Sequence, residues 1–171
     1  MEQGSPARTV VIVTDANVLI NLCHARQLQL LGAIPGFDFR VPQEVVNELT
    51  DSRQREFVEA SVNARHLLIE TLDQLESLTV FAELRQIMGR GEAACLALAE
   101  TMGWAIASDE KKRFRREALQ RVGPTRLYRT EDLLVRGIHA GILSVDAADE
   151  CIRLLAENRY RMSFHSFREL L

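Results

Sequence analysis

Thr9-Val10-Val11-Ile12-Val13-Thr14-Asp15 is the stretch that decides the fold. Its first six residues are all β-branched and run without a polar alternation, the pattern of a short strand buried on both faces of a parallel sheet. Asp15 stops the run at its carboxyl end. In an open parallel sheet, ligands gather outside the carboxyl ends of the strands, so an acid at that point is both a helix cap and a candidate functional group.

Outward from this strand the pattern alternates. A helical spacing through Leu19, Leu22 and Leu28 is broken by Pro35-Gly36, and residues 37–41 form a second strand. Pro42 suits the first turn of a helix carrying Val45, Val46 and Leu49. A more polar helix is predicted over 52–64, a strand over 67–69 and a helix over 73–88. Gly89-Arg90-Gly91 then precedes Glu92, which opens an Ala-rich helix to Met102. Residues 104–108 read as another buried strand, stopped by Asp109. A basic amphipathic helix over 110–121 and a strand over 125–129 follow. Thr130 can cap a helix with Leu133, Leu134 and Ile138, and Ser144 and Ser163 can start two last helices. Alternating strands and helices predict an α/β fold, a three-layer sandwich with a mostly parallel central sheet and extra C-terminal helices. Residues 1–8 read as a disordered tail and 9–171 as one domain, since no repeat or Pro/Ser-rich linker interrupts them.

Composition narrows the function. The chain has 171 residues, with 21 Lys and Arg against 24 Asp and Glu and a net charge of −3. There is no bulk positive field of the kind that marks a generic nucleic-acid binder, so any such contact must be local. The longest apolar runs fall far short of the ~20 residues needed to cross a bilayer. With no leader-like segment at the start, these features predict a soluble, cytoplasmic protein with no membrane partner. Cys23, Cys95 and Cys151 are too scattered for a disulfide framework or a Cys-x-x-Cys pair and read as reduced core residues.

Four acids sit where strands give way to helices or where helices begin: Asp15, Glu48, Glu92 and Asp109. Clustered carboxylates repel, and a fold that gathers them without Lys or Arg between them usually does so to hold a hard cation. Oxygen-only ligation favours Mg²⁺ or Mn²⁺, and His24, His66, His139 and His165 lack zinc spacing. Glu110 competes with Asp109 as the fourth acid, with Asp109 preferred because it directly follows the strand. Glu44 competes with Glu48, although its first-turn position already has a dipole explanation. Such a site would hydrolyse a phosphodiester without a covalent nucleophile.

Charge is uneven as well. Residues 42–102 hold 11 acids and 5 Lys or Arg, whereas 109–129 hold 3 acids and 8 basic residues. A phosphate backbone nearing an acidic site needs adjacent cations, and Lys111, Lys112 and Arg115 are placed to bind substrate.

Val11-Ile12-Val13-Thr14-Asp15-Ala16-Asn17, Val41-Pro42-Gln43-Glu44-Val45-Val46-Asn47-Glu48-Leu49, Gly91-Glu92-Ala93-Ala94-Cys95-Leu96 and Ile106-Ala107-Ser108-Asp109-Glu110 resemble, in order, the four acidic motifs of the PIN-domain ribonucleases. The tail, from Thr130-Glu131-Asp132-Leu133-Leu134 through Gly141-Ile142-Leu143-Ser144 to Met162-Ser163-Phe164, resembles the VapC-like toxin branch. The resemblance covers residues 9–171. It implies that Asp15, Glu48, Glu92 and Asp109 bind metal, and that Asn17 orients the first carboxylate or a metal-bound water. It also implies endonucleolytic cleavage of RNA leaving a 5′-phosphate, a homodimer, and a small antitoxin partner. Two other readings stand beside it: a free-standing RNA-processing or DNA-acting nuclease, and a non-catalytic protein-binding domain whose acids are caps.

Overall fold

The computed structural model describes residues 9–171, so the tail expected over 1–8 lies outside the described residues. Five parallel strands form one sheet in the order β3-β2-β1-β4-β5: β1 Val10–Thr14, β2 Phe37–Pro42, β3 Leu68–Glu70, β4 Ala105–Ala107 and β5 Leu127–Tyr128. The β-branched first strand takes the centre, pairing with β2 from Val10 opposite Phe37 and with β4 from Ile12 opposite Ala105. Ile12 and Val13 are fully buried, as a central strand covered on both faces requires.

Among the described residues, nine helices fill the connections: α1 Ala16–His24, α2 Leu30–Ala33, α3 Gln43–Glu48, α4 Ser52–Asn63, α5 Leu75–Leu84, α6 Arg90–Met102, α7 Lys112–Arg121, α8 Thr130–His139 and α9 Val145–Glu157. They complete a three-layer α/β sandwich. The small residues of α6, buried from Ala93 to Ala99, let its backbone come close to β1, β2 and β4. Arg121 ties this layer together, reaching Glu83 of α5, Glu100 of α6 and Glu117 of α7. On the other side α1 packs with α4, α8 and α9.

Several boundaries differ from the sequence pattern. The first helical stretch is two helices, because Arg26 turns the chain through a positive φ of 57°. The strand expected over 125–129 keeps two residues, its start being a 3₁₀ turn over Pro124–Arg126. The α6 helix begins at Arg90, so Glu92 sits in its first turn and accepts from the Gly89 amide, as in a capping box. Thr130 is the first residue of α8 and not its cap. No helix starts at Ser163; Ser166 instead caps a 3₁₀ turn over Phe167–Glu169. No helix among the described residues is long and apolar enough to cross a membrane.

Candidate active site

The strand order reverses at β1: the chain moves outward through β2 and β3, then returns to place β4 on the other side. The carboxyl ends of β1 and β4 therefore flank a topological switch point, where open α/β sheets form their crevices. Asp15 ends β1 and is 3% exposed. Its Oδ1 accepts from the Ala16 amide at 2.8 Å, so the capping role is real, and its Oδ2 faces the crevice. There it accepts from Ser108 Oγ at 3.1 Å and from Asn17 Nδ2 at 3.2 Å.

Asn17 joins the two strand ends. Its amide nitrogen also donates to Glu110 Oε1 at 2.8 Å, while its carbonyl oxygen accepts from the Asp109 backbone amide at 3.1 Å. Ser108 makes the reciprocal link, because its hydroxyl accepts from the Glu110 amide at 3.2 Å. This serine was not among the expected site residues. A hydroxyl closing a buried strand just before the acids is the signal that identifies it.

Glu48 comes from the far end of α3. Its Oε1 accepts from the Gly91 amide at 2.8 Å, at the start of α6. Gly91 is needed for this approach, since a Cβ there would lie 2.4 Å from Glu48 Oε2. Glu92 follows one residue later. Glu44, the rival of Glu48, keeps its own place in the first turn of α3, with Oε2 buried and lacking a hydrogen-bond partner.

The electrostatics show which acids sense one another. Burial, with the Glu92 and Glu110 charges added, pushes the Asp15 carboxyl up to about 7, against the donations from Ala16 and Ser108. Burial also raises Glu92, with the charges of Glu110 and Glu48 acting in the same sense and the Gly89 amide opposing. The Cys95 thiol, fully buried beneath them, is raised well above its ordinary value by burial and by Asp15, Glu48, Glu44 and Glu92. Asp15, Glu48, Glu92 and Glu110 thus form one interacting group.

Asp109 faces away from this group. Its Oδ1 accepts from the Thr130 amide and the Tyr160 hydroxyl, each at 2.9 Å, and its Oδ2 accepts from Asn21 Nδ2 at 2.8 Å and Thr130 Oγ1 at 2.5 Å. Of the two candidates for the fourth acid, Glu110 therefore joins the group around Asp15 and Asp109 does not. Adjacent residues in a turn point to different sides, and the one directly after the strand is used to fasten α1, α8 and the C-terminal segment together. The Tyr160 hydroxyl also lies against Glu131, and burial with both acids raises its pKa above the ordinary tyrosine value.

No three of the His, Cys, Asp and Glu side chains among the described residues converge closely enough to hold an ion as they stand. The departure from a closed four-carboxylate cage has a physical cause, since like charges spread and Glu48 and Glu92 each lean on a backbone amide of the α6 start. The donor set still fits a hard cation. Glu48 Oε2, Glu92 Oε1 and Glu110 Oε2 receive no hydrogen bond from the described residues, beside a buried Asp15 whose charge lacks a cationic partner.

Of the basic residues, Lys111 and Arg115 line a cleft with Glu110, whereas Lys112 lies outside that lining with a left-handed backbone, φ 53°. Arg113 and Arg126 bind carbonyl oxygens, and Arg121 and Arg129 are in ion pairs. About half of the basic segment is thus structural.

A search of curated proteins finds no match to this chain. A family model described as DUF3368, a PIN domain, matches residues 11–171, which include every acid of the site. The chain belongs to the PIN-domain family, and this membership points to a nuclease hydrolase.

Proposed function

We propose that the protein is a Mg²⁺- or Mn²⁺-dependent endoribonuclease of the VapC-like branch, the toxin of a toxin–antitoxin pair. Its expected partners are RNA as substrate, a small antitoxin protein and a second copy of the chain, and its place of action is the cytoplasm. One observation supports the catalytic part: Asp15, Glu48, Glu92 and Glu110 come from four separate segments, and, on top of burial, Glu92 and Glu110 raise the Asp15 carboxyl while Glu110 and Glu48 raise that of Glu92. Helix capping explains Asp15 and Glu92. It accounts for only one oxygen of Glu48, which ends α3 where its own helix dipole disfavours an acid and reaches the Gly91 amide of α6 through Oε1, and for nothing of Glu110, which binds a side-chain amide.

In this reading Asp15, Glu48, Glu92 and Glu110 hold the metal, replacing the set that contained Asp109. A bound Mg²⁺ or Mn²⁺ would lower the pKa of a water and offset charge on the scissile phosphate. The chain itself does the positioning. Asn17 and Ser108 hold Asp15 and Glu110 in fixed relation, so two ligands from opposite sides of the switch point stay aligned. Burial of Asp15 makes its carboxylate a strong acceptor for any cation, because the alternative is an unpaired buried charge. Lys111 and Arg115 offset the repulsion between the RNA backbone and these acids.

The test is cleavage of single-stranded RNA in Mn²⁺ and in EDTA, with product ends mapped. Cleavage only with metal, giving 5′-phosphate ends, is the expected result. Activity that persists in EDTA and in Glu110→Gln refutes the site. Growth arrest on expression, relieved by Glu110→Gln and by a neighbouring short reading frame, supports the toxin assignment, and harmless expression of an active enzyme favours a free-standing processing nuclease.

A further inference from the structure

The polypeptide after α9 turns back toward the site. Its Arg159 has a positive φ of 66°, and the next residue, Tyr160, is anchored on Asp109, which precedes Glu110. Arg161, Met162 and Ser163, next to this anchor, line a cleft of about 400 Å³ together with Glu110, Lys111 and Arg115. The cleft is joined directly to the acidic group, through the Asn17–Glu110 bond.

Its charge distribution is informative. Arg129, also in the wall, is neutralised by Glu131 at 2.6 Å. Lys111, Arg115 and Arg161 are exposed, and none of them pairs with a carboxylate among the described residues. Three uncommitted cations from two segments some 50 residues apart face one trough, in a chain whose net charge is −3. A local positive trough within an acidic protein, sharing Glu110 with the group of carboxylates, matches a polyanion that must be led to that group.

We propose that this cleft is the track of the RNA backbone as it enters the site, and that Arg161 of the C-terminal segment grips a phosphate there together with Lys111 and Arg115. The proposal rests on the nuclease reading for its substrate class. A phosphate ligand fits better than an apolar partner segment, because Met162 is the only apolar side chain in the lining. The planar guanidiniums of Arg115 and Arg161 can each bind two phosphate oxygens. Asp109 and Tyr160 are then positioning residues, holding the segment that carries Arg161.

The experiment is fluorescence anisotropy with an end-labelled, single-stranded 12-nucleotide RNA, in EDTA so that binding is read without cleavage, from 50 to 200 mM KCl. Arg161→Ala is expected to lower the slope of log K against log salt by about 0.7, the value of one phosphate contact on a single strand. At 100 mM salt this corresponds to roughly fivefold weaker binding. Arg161→Lys should retain the slope, and Arg153→Ala, which removes an equal charge from the ion-paired surface of α9, should leave binding unchanged. An unaltered slope in Arg161→Ala overturns the proposal, whether or not the enzyme cleaves RNA. If Arg161→Ala loses the slope while wild type fails to cleave in Mn²⁺, the track stands and the nuclease reading falls. Binding of a labelled poly-glutamate peptide in place of RNA, with the same dependence on Arg161, also overturns it in favour of an acidic protein partner.

Discussion

Asp15→Asn should make the metal-free protein more stable at pH 8, and the advantage should vanish near pH 5. The buried carboxyl is held at about 7 in the folded chain, chiefly by burial, against about 3.9 when unfolded. The folded state therefore binds the proton more tightly. This group's contribution is complete below the unfolded value, falls as pH rises, and is lost above about 7. About three units correspond to roughly 4 kcal/mol. The amide is neutral at every pH and so avoids the cost of the buried charge, but it places an NH₂ against donors. Asn17 Nδ2 and the Ser108 hydroxyl both donate to the atom replaced, a loss of about 1–2 kcal/mol. The net gain at pH 8 is roughly 2–3 kcal/mol, or about 4–12 °C for a chain of this size. At pH 5 wild type has recovered most of its deficit by protonation, and the two melt together. Thermal melts of both proteins in EDTA at the two pH values decide the matter, since the other titrating groups are common to both. Added Mn²⁺ should raise wild type more than the variant. A variant less stable than wild type at pH 8 would show that Asp15 is only a stabilising cap, and the reasoning would fail.

Four other substitutions separate the residues of the site from those that only hold the fold. Glu110→Gln should reduce Mn²⁺-dependent cleavage more than about 100-fold, since a direct ligand costs at least what an outer-shell partner does, with stability within ~0.5 kcal/mol of wild type. Asp109→Asn should do the opposite in denaturant melts, losing roughly 2–4 kcal/mol because an amide cannot accept all four of the donors that carboxylate now satisfies. Gly91→Ala should push Glu48 aside and weaken the Mn²⁺-induced rise in melting temperature, at a packing cost of about 1–3 kcal/mol. Gly32→Ala, whose Cβ would lie 2.2 Å from the His66 ring, should cost as much or more in denaturant melts while leaving activity per folded molecule unchanged.

Much of this arrangement could be read from the chain because it depends on local pattern. The β-branched run 9–14 gave the central strand, Ala93–Ala99 the helix that covers it, and the acids at strand ends pointed to the crevice. What could not be read depends on direction in space. Asp109 and Glu110 are one residue apart, and no spacing rule says which side chain the Asn17 amide will meet. The role of Arg161 was equally hidden, for it depends on a Tyr160 hydroxyl finding an acid 51 positions earlier. The two-helix break at Arg26 follows from a positive-φ turn at a residue that is not the usual Gly or Asn, whereas the fifth strand is shortened by a 3₁₀ turn that Gly123 and Pro124 open inside a stretch whose pattern reads as strand.

The central position of β1 also governs when the site comes into being during synthesis. Its second neighbour, β4, is encoded far downstream, and the Asn17–Glu110 and Asp15–Ser108 bonds each close 93 residues of chain. At about 5–20 residues per second, roughly 5–20 s pass between translation of the two strand ends. Throughout that interval β1 has an open edge toward the missing strand, rich in Val and Ile and prone to pair with another chain. Contacts of such high sequence separation also slow folding once the chain is complete. The nascent polypeptide consequently has no assembled acidic centre until β4 has docked, so the topology of the sheet sets the moment at which the site first exists.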